Sequence, residues 1–311
     1  MLSRRSVRVK VMQLLYAQDR DALLKDKEVI NAYHNELKRS YDLFLFNLYV
    51  IMRVADCATL DGKKRKSKHL PTDIDKIFSN KLYTNEIISG ISENKILSKQ
   101  FDDLKFESQV NNDYINKIYE EFAKKDEYLE YLKNEFTQEQ LIELLLELYR
   151  FCRQDEYFNE MLEDSYYNWL DDKSLVVGSV KKFLKAIPEE GHSFIDSFKP
   201  DEETTIDFGL NLLKIAIKNK ESNMELIIPV LENWDHERLA IVDTIFLRMA
   251  LTELLDFPTI PSKVTLNEYV ELAKQYSTVK SKEFINGILD KLMKDLQEKG
   301  TLKKEGRGLI T

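Results

Sequence analysis

Glycine and proline are scarce in this chain of 311 residues, which contains 9 Gly and 6 Pro. Sheets and barrels need many turns, and turns use these two residues, so the scarcity nearly excludes an all-β fold. It also disfavours a doubly wound α/β fold. The 16 Phe and 15 Tyr, together with abundant Leu and Ile, exclude global disorder because they suffice for a packed core.

Cysteines and long apolar runs are also rare. Cys57 and Cys152 are too few for a disulfide framework or a four-thiolate zinc site, and their apolar neighbours predict buried free thiols. Residues 1–10 are basic and lack the apolar core of a secretory signal. Residues 41–57 are the most apolar stretch, but they are too short and too polar to span a bilayer. We therefore expect a cytoplasmic protein without membrane contact.

Signatures of catalysis are missing from the sequence. It contains no phosphate-binding GxxxxGK(S/T), no dinucleotide-binding GxGxxG and no nucleophile GxSxG motif. Glu189 and His192 have the ExxH spacing of a carboxylate metal site, but a di-iron bundle needs a second such pair, which the sequence lacks. We predict a protein that is not an enzyme, with no catalytic residue, no metal and no cofactor.

Charge is distributed unevenly within the net −8. Residues 1–69 carry 15 Lys and Arg against 8 Asp and Glu, a net +7, whereas residues 101–172 carry 7 against 20, a net −13. The first sixteen residues contain Arg4, Arg5, Arg8 and Lys10 and no acid. A basic end on an acidic protein lets a polyanion approach in one place, although a solvated helix end explains the same pattern.

Helical periodicity dominates the chain, and it predicts an all-α protein. The predicted helices span residues 3–24, 28–57, 73–96, 112–134, 137–152, 154–170, 174–186, 204–220, 224–233, 235–255, 265–276 and 281–298. Residues 188–203, rich in Pro, Gly and acids, form the best internal boundary. The basic residues 61–69 precede Pro71 and are interpreted as a loop. Within it, Lys63–Lys68 either contacts a phosphate backbone or forms a mobile surface segment.

Two features near the C-terminus allow more than one interpretation. Gly287 follows Asn286 within a helical pattern, where it costs about 1 kcal/mol against Ala. We therefore expect a neighbouring helix or a ligand to approach its backbone closely. Thr265 and Glu268 have the spacing of a capping box, so the main interpretation of Glu268 is that it caps a helix beginning near Thr265.

Motifs at both ends of the chain point to one family. The C-terminal motifs are Phe246-Leu247-Arg248-Met249-Ala250-Leu251, Ile260-Pro261-Ser262-Lys263-Val264, Asn267-Glu268-Tyr269-Val270-Glu271-Leu272-Ala273-Lys274 and Phe284-Ile285-Asn286-Gly287-Ile288-Leu289-Asp290. The N-terminal motifs are Ser3-Arg4-Arg5-Ser6-Val7-Arg8 and Met12-Gln13-Leu14-Leu15-Tyr16. In this order, they resemble the NusB family of bacterial transcription antitermination factors, whose compact members have about half this length.

The resemblance implies an all-helical fold of two small bundles and a role in transcription. Members of that family bind boxA-type single-stranded RNA together with the small-subunit ribosomal protein that doubles as NusE. They join the antitermination complex on RNA polymerase, which supports ribosomal RNA transcription. Some members dimerise, so a homodimer is left open. The implied division of the chain is a first helix (1–21), a helical insertion or elaborated N-terminal half (22–200), a NusB-like core (201–298) and a flexible tail (299–311).

Site residues are carried over by position. The resemblance implies RNA-binding roles for Arg4, Arg5, Arg8, Tyr16, Lys280, Ser281, Lys282 and Phe284, and a partner-binding role for Asp243. Alternatively, Tyr16 and Phe284 are core aromatics, and Asp243 pairs with Arg248, itself the better candidate for a structural ion pair. Two other functions stay open. One is a helical adaptor that has lost RNA binding, and the other is the NusB-like domain of an RNA methyltransferase, which requires a following α/β domain.

Overall fold

The computed structural model describes residues 1–190, 192–231 and 239–309, and every regular element in these ranges is helical. The predicted all-α class is confirmed. The α-helices, numbered in chain order, are α1 (Arg4–Arg20), α2 (Asp26–Lys66), α3 (Asp73–Ile77), α4 (Lys81–Thr84), α5 (Glu86–Ser92), α6 (Lys95–Asp103), α7 (Phe106–Gln109), α8 (Asn112–Phe122), α9 (Asp126–Lys133), α10 (Gln138–Gln154), α11 (Glu156–Ser165), α12 (Trp169–Glu190), α13 (Asn211–Lys218), α14 (Lys220–Ile227), α15 (Ile241–Asp256), α16 (Ser262–Tyr276) and α17 (Ser281–Glu298). A π-helix spans Glu203–Leu210, and 3₁₀ segments span His192–Phe198, Ile228–Val230 and Gly306–Leu309.

The chain forms two compact units. The central unit comprises Lys38–Lys199 with Met1, and the terminal unit comprises Leu2–Leu37 and Pro200–Thr311. Apart from Met1, residues from both ends of the chain therefore belong to one unit. The division implied by the resemblance differs, since it leaves residues 22–37 with the insertion, and it stays a prediction.

The core of the central unit is built on α2. Phe44, Phe46, Val50 and Ile51 of this helix are fully buried, and Phe44 stacks on Phe198 with ring centroids 4.9 Å apart. Among the described residues, α2 is the one helix long and apolar enough to cross a membrane, and 67% of its apolar window is buried inside the protein. Such burial is typical of the core helix of a soluble protein, which passes the same test.

The terminal unit places α1 against α15, α13 and the π-helix, while α15, α16 and α17 pack on one another. Val7, Val11 and Leu15 form the fully buried face of α1. The π-helix approaches α1 closely at Gly209, where a Cβ atom would overlap Tyr33 Oη and Val7 Cγ1. Tyr33 also donates a hydrogen bond to the backbone carbonyl of Thr205, 2.7 Å away. This arrangement fixes α1 and with it the N-terminal arginines.

The loop predicted for residues 61–69 is wrong, because α2 continues to Lys66. Lys and Arg are good helix formers, and cations near a helix C-terminus interact favourably with the helix dipole. Arg65 donates to Asp61, 2.8 Å away and one turn earlier, and it lies over the ring of Phe78. Gly62 lies against the backbone of Ser79, so the last turn is packed.

The single helix predicted for residues 73–96 is also wrong, because the structure has α3, α4, α5 and the start of α6 there. Asn85 and Asn94 explain two of the breaks. The side-chain oxygen of Asn85 accepts from the amides of Ile87 and Ile88, and that of Asn94 accepts from two amides of α6. Asparagine is a preferred N-cap, so each begins a new helix.

The tail beyond α17, predicted to be flexible, folds back in its described part. The amide of Glu305 donates to the carbonyl of Pro258, 3.0 Å away. Lys304 Nζ donates to the carbonyl of Phe257 at 3.1 Å, and burial lowers the pKa of this lysine. These contacts join the described part of the tail to the terminal unit, and the flexible tail implied by the resemblance stays a prediction.

Candidate nucleic-acid interface

Helix α1 begins with a capping box rather than with an acidic turn. Ser3 and Ser6 cap each other, since each side chain accepts a hydrogen bond from the other residue's amide. No acidic residue lies in the first turn, whereas Arg4 and Arg5 do. Cations at a helix N-terminus are unfavourable because the dipole places partial positive charge there. Carboxylates from other helices must offset this charge, unless an external anion does.

Arg8 is a structural residue in this arrangement. Its guanidinium is buried, and Nε and Nη2 donate to the two carboxylate oxygens of Glu253 at 2.8 and 2.7 Å. Burial opposes the charge on Arg8, but the hydrogen bond and the charge of Glu253 outweigh it and raise the pKa of Arg8 above its ordinary value. Glu253 accepts from two of its nitrogens and the side chain is buried, an arrangement that does not favour the RNA contact implied for Arg8, and that role stays a prediction.

Glu253 is the centre of this buried network. Besides the two bonds from Arg8, it accepts from the hydroxyl of Thr265 at 2.9 Å and from that of Tyr269 at 3.2 Å. A buried carboxylate with an arginine partner and four hydrogen bonds satisfies its lone pairs. The sequence analysis did not single out Glu253. Its position between Leu251 and Leu254 in a highly apolar helix is nevertheless a signal of a buried ion pair.

Arg5 remains accessible, but it also has a carboxylate partner. Its Nη2 and Nε donate to Glu268 at 2.7 and 3.0 Å, a bidentate pair. The hydrogen bond that Arg5 donates to Glu268 raises the pKa of Arg5. Burial opposes the charge on Glu268, but this bond and the charges of Arg8 and Arg5 outweigh it and lower the pKa of Glu268. The side chain of Arg5 is 54% exposed and that of Glu268 is 20% exposed. A phosphate can therefore reach the guanidinium of Arg5, but it must compete with the carboxylate of Glu268 for it.

Arg4 is the most loosely held of the three arginines. Its Nη2 lies 3.1 Å from Glu203 of the π-helix, and this glutamate is 79% exposed. The guanidinium also lies over the ring of Phe208, 5.4 Å from its centroid. Such exposed ion pairs contribute little to the stability of the fold. An open cavity of about 460 Å³ adjoins these side chains, and its lining includes all three arginines.

Glu268 is not the cap that the sequence predicts. Helix α16 begins at Ser262 after Pro261, so Thr265 lies inside the helix and is buried. Proline fixes a backbone angle that suits the start of a helix, which explains the earlier beginning. Glu268 is consequently free of a capping role, and its carboxylate binds Arg5 instead.

Asp243 and Ser281 hold the start of α17 in place. Asp243 is buried and accepts from the hydroxyls of Ser277 at 2.6 Å and Ser281 at 2.7 Å. These hydrogen bonds give Asp243 and the Ser281 side chain a structural role, and the roles implied for Asp243 at a partner interface and for Ser281 at RNA stay predictions. The alternative pair of Asp243 with Arg248 is wrong, because Arg248 Nη1 donates to Asp19 at 2.6 Å. The prediction that Arg248 is a structural ion-pair donor is confirmed.

The remaining candidates are at least partly exposed. Lys280 and Lys282 are exposed at the start of α17, and Phe284 is half-buried rather than a core aromatic. Tyr16 is 40% exposed on α1. Apart from its own helix backbone and chain neighbours, no described atom lies within 4 Å of a Cβ built on Gly287, so the close approach of a neighbouring helix expected there does not occur within the described structure. Phe284 and Gly287 are three residues apart on α17, so they lie on the same face of this helix.

Comparison with known proteins decides the family. The NusB family model matches residues 178–294. The transcription antitermination protein NusB of Salinibacter ruber (strain DSM 13855 / M31) is 40% identical over 119 residues, which are 38% of this chain and 74% of that protein. The chain belongs to the NusB family.

Two further NusB relatives cover less of their own length. The protein of Chloroherpeton thalassium (strain ATCC 35110 / GB-78) is 40% identical over 104 residues, 33% of this chain and 49% of that relative. The protein of Koribacter versatilis (strain Ellin345) is 39% identical over 95 residues, 30% of this chain and 65% of that relative. Both are named transcription antitermination protein NusB. No solved structure matches the chain.

The NusB match covers one part of the candidate site. It begins within α12 and includes Glu253, Glu268 and Phe284. The arginine-rich helix α1 lies outside the matched residues, so its correspondence with the first NusB helix stays a prediction. Most of the central unit also lies outside, and it has no counterpart in the match.

Proposed function

We propose that this chain is an RNA-binding transcription antitermination factor, without catalytic activity, that acts in the cytoplasm. It binds boxA-type single-stranded RNA together with the NusE ribosomal protein, within the antitermination complex on RNA polymerase, and supports ribosomal RNA transcription. The names of its NusB relatives support the coarse role. The accessible guanidinium of Arg5, presented on a fixed helix of the terminal unit, is the observation that carries RNA binding.

Two kinds of contact are expected at this site. Arg4, Arg5, Lys280 and Lys282 provide charge for phosphates, which adds affinity without sequence preference. Phe284 provides a partly exposed ring on which a base can stack, as is typical of single-stranded RNA recognition. The decisive experiment measures binding of a fluorescent boxA RNA and a scrambled RNA, with and without the host's NusE, at two salt concentrations. Selective binding that strengthens with NusE is the expected result.

Replacing Arg5 or Phe284 with Ala should separate the two kinds of contact. The Arg5 variant should bind all RNAs more weakly, and the slope of log K against log salt should fall by up to about 0.7. The Phe284 variant should lose about 1–3 kcal/mol of binding free energy, because stacking on one base is worth that much. This loss should be larger for boxA than for the scrambled RNA. If neither variant alters RNA binding, the site is assigned wrongly.

Replacing Glu268 with Gln should strengthen RNA binding. The variant keeps the size of the side chain but removes the negative charge that neutralises Arg5, so a phosphate no longer competes with a carboxylate. We expect tighter binding of boxA and scrambled RNA alike, with a steeper salt dependence. Glu298→Gln removes the same charge at the exposed end of α17 and serves as the control. Equal affinities of the two variants would contradict the competition.

A helical adaptor that has lost RNA binding is the second candidate. It is favoured by the pairing of Arg4, Arg5 and Arg8 with carboxylates of the same unit, which leaves little uncompensated charge on α1. An adaptor would bind its protein partner unchanged after Arg4→Ala and Arg5→Ala substitutions. Its weak RNA affinity would also depend little on salt. The same binding series therefore distinguishes the two functions.

A further inference from the structure

The last turn of α2 is a concentrated basic feature in an otherwise acidic part of the protein. Residues 63 to 66 are all Lys or Arg, whereas residues 101–172 of the same unit carry a net −13. The turn lies in the central unit, far outside residues 178–294 that match the NusB family. Its function therefore has to be argued from its own structure.

Two of the nearby cations are neutralised within the protein and hold the turn in place. Arg65 Nε donates to Asp61 and its Nη1 to Asp75, at 2.8 and 3.4 Å. Lys68 Nζ donates to Asp75 at 2.7 Å. Asp75 also caps α3 through Thr72, and the bond from Lys68 with those from Thr72 lowers the pKa of Asp75. This network, with the packing of Gly62 on Ser79, gives the turn a defined structure.

Three lysines in this region lie outside the ion-pair network of Arg65 and Lys68. Lys63, Lys64 and Lys66 are exposed, and none has a hydrogen bond or ion pair from its ammonium group in the described part of the chain. At about 100° per residue they lie within about 160° of the helix surface, while Arg65 and Asp61 lie on the other side. Like charges this close repel one another, and a polyanion removes that repulsion.

We propose that Lys63, Lys64 and Lys66 form a second contact surface, which binds the phosphate backbone of single-stranded RNA. The choice of RNA as the polyanion rests on the function proposed for the terminal unit. Lysine ammonium groups are point charges that suit phosphates but do not read bases, so this surface adds affinity without sequence preference. The central unit thereby adds a phosphate contact of its own to those proposed for the terminal unit.

The experiment compares two triple variants of the full chain. Lys63, Lys64 and Lys66 are replaced by Gln in one variant, and the exposed Lys95, Lys99 and Lys133 are replaced by Gln in the control. Both lose three positive charges, and both sets of side chains are exposed, so folding should be retained and is checked by circular dichroism. The probe is a fluorescent uridine homopolymer RNA, titrated at several salt concentrations, because it contains no boxA.

For the first variant, the slope of log K against log salt should decrease in magnitude by about 2, since each phosphate contact contributes about 0.7 for single strands. The slope for the control variant should stay unchanged. The ratio of boxA to scrambled RNA affinity should stay unchanged in both. The salt slope for this RNA does not depend on boxA selectivity. The experiment can therefore contradict the proposed lysine surface without contradicting boxA binding by the terminal unit, and the reverse. Equal slopes for the two variants would overturn the proposal.

Anionic lipid is the competing partner, because Leu60, Leu70 and Ile74 are exposed near the lysines. Vesicles containing phosphatidylserine are therefore included as a third probe. The proposal expects no difference between the two triple variants in vesicle binding. Loss of vesicle binding in the first variant, with RNA binding intact, would assign the surface to a membrane and overturn the RNA contact.

Discussion

Replacing Glu253 with Ala should lower the free energy of unfolding by about 3–5 kcal/mol, the range found when one partner of a buried ion pair is removed. The substitution removes the carboxylate that binds the buried guanidinium of Arg8 through two atoms and leaves it with the longer contact to Glu268, 3.3 Å from Nη1. It also removes the acceptor for the hydroxyls of Thr265 and Tyr269. Buried polar groups without partners cost far more than the original bond contributes. The network joins α1, α15 and α16, so its loss affects the whole terminal unit.

Urea denaturation followed by circular dichroism measures this effect, with the transition analysed for two units because they need not unfold together. Glu298→Ala, at the exposed end of α17, is the control and should change stability by less than about 0.5 kcal/mol. A double variant, Arg8→Met with Glu253→Leu, should recover part of the loss, since paired apolar replacement of a buried ion pair is often tolerated. A loss below about 1 kcal/mol for Glu253→Ala would contradict the buried network.

The fold was predictable where a helix carries a clear apolar stripe and a clear end. Residues 281–298 were predicted as a helix, and α17 has these bounds. Prediction failed where side chains decide the ends of helices. Asn85 and Asn94 start new helices within a continuous pattern, and Pro261 begins α16 earlier than the capping box of Thr265 suggested. Periodicity does not contain this information, because it reports which face is buried and not where the backbone turns.

The candidate site was predictable in its residue types but not in its partners. The sequence singled out Arg8 for its position near an arginine-rich end, yet its partner Glu253 lies 245 residues away. No local sequence pattern distinguishes an arginine that is available to bind phosphate from one that forms an ion pair with a carboxylate distant in sequence. Arg5 and Glu268 are a similar case, 263 residues apart. The tertiary fold therefore determines which of the predicted arginines are accessible for binding RNA.

Replacing Gly209 with Ala should be the most damaging small substitution in the π-helix. The added Cβ would overlap the hydroxyl of Tyr33 and a methyl group of Val7, both of them fully buried. Forcing extra atoms into a packed core costs about 1–3 kcal/mol and sometimes more. The expected loss is at the upper end of this range, because Tyr33 also holds the carbonyl of Thr205 and cannot move without breaking that bond.

Gly287→Ala is the matched control, since it adds the same methyl group at a glycine inside α17. Apart from its own helix backbone and chain neighbours, no atom of the described residues lies within 4 Å of that position. The substitution therefore acts through helix propensity, and stability should rise by about 0.5–1 kcal/mol. Thermal unfolding of the two variants side by side measures both effects. Opposite signs would establish that close packing of the π-helix on α1, and not glycine content, fixes the arginine-bearing helix. If Gly209→Ala is as stable as Gly287→Ala, the π-helix does not pack on α1 as described.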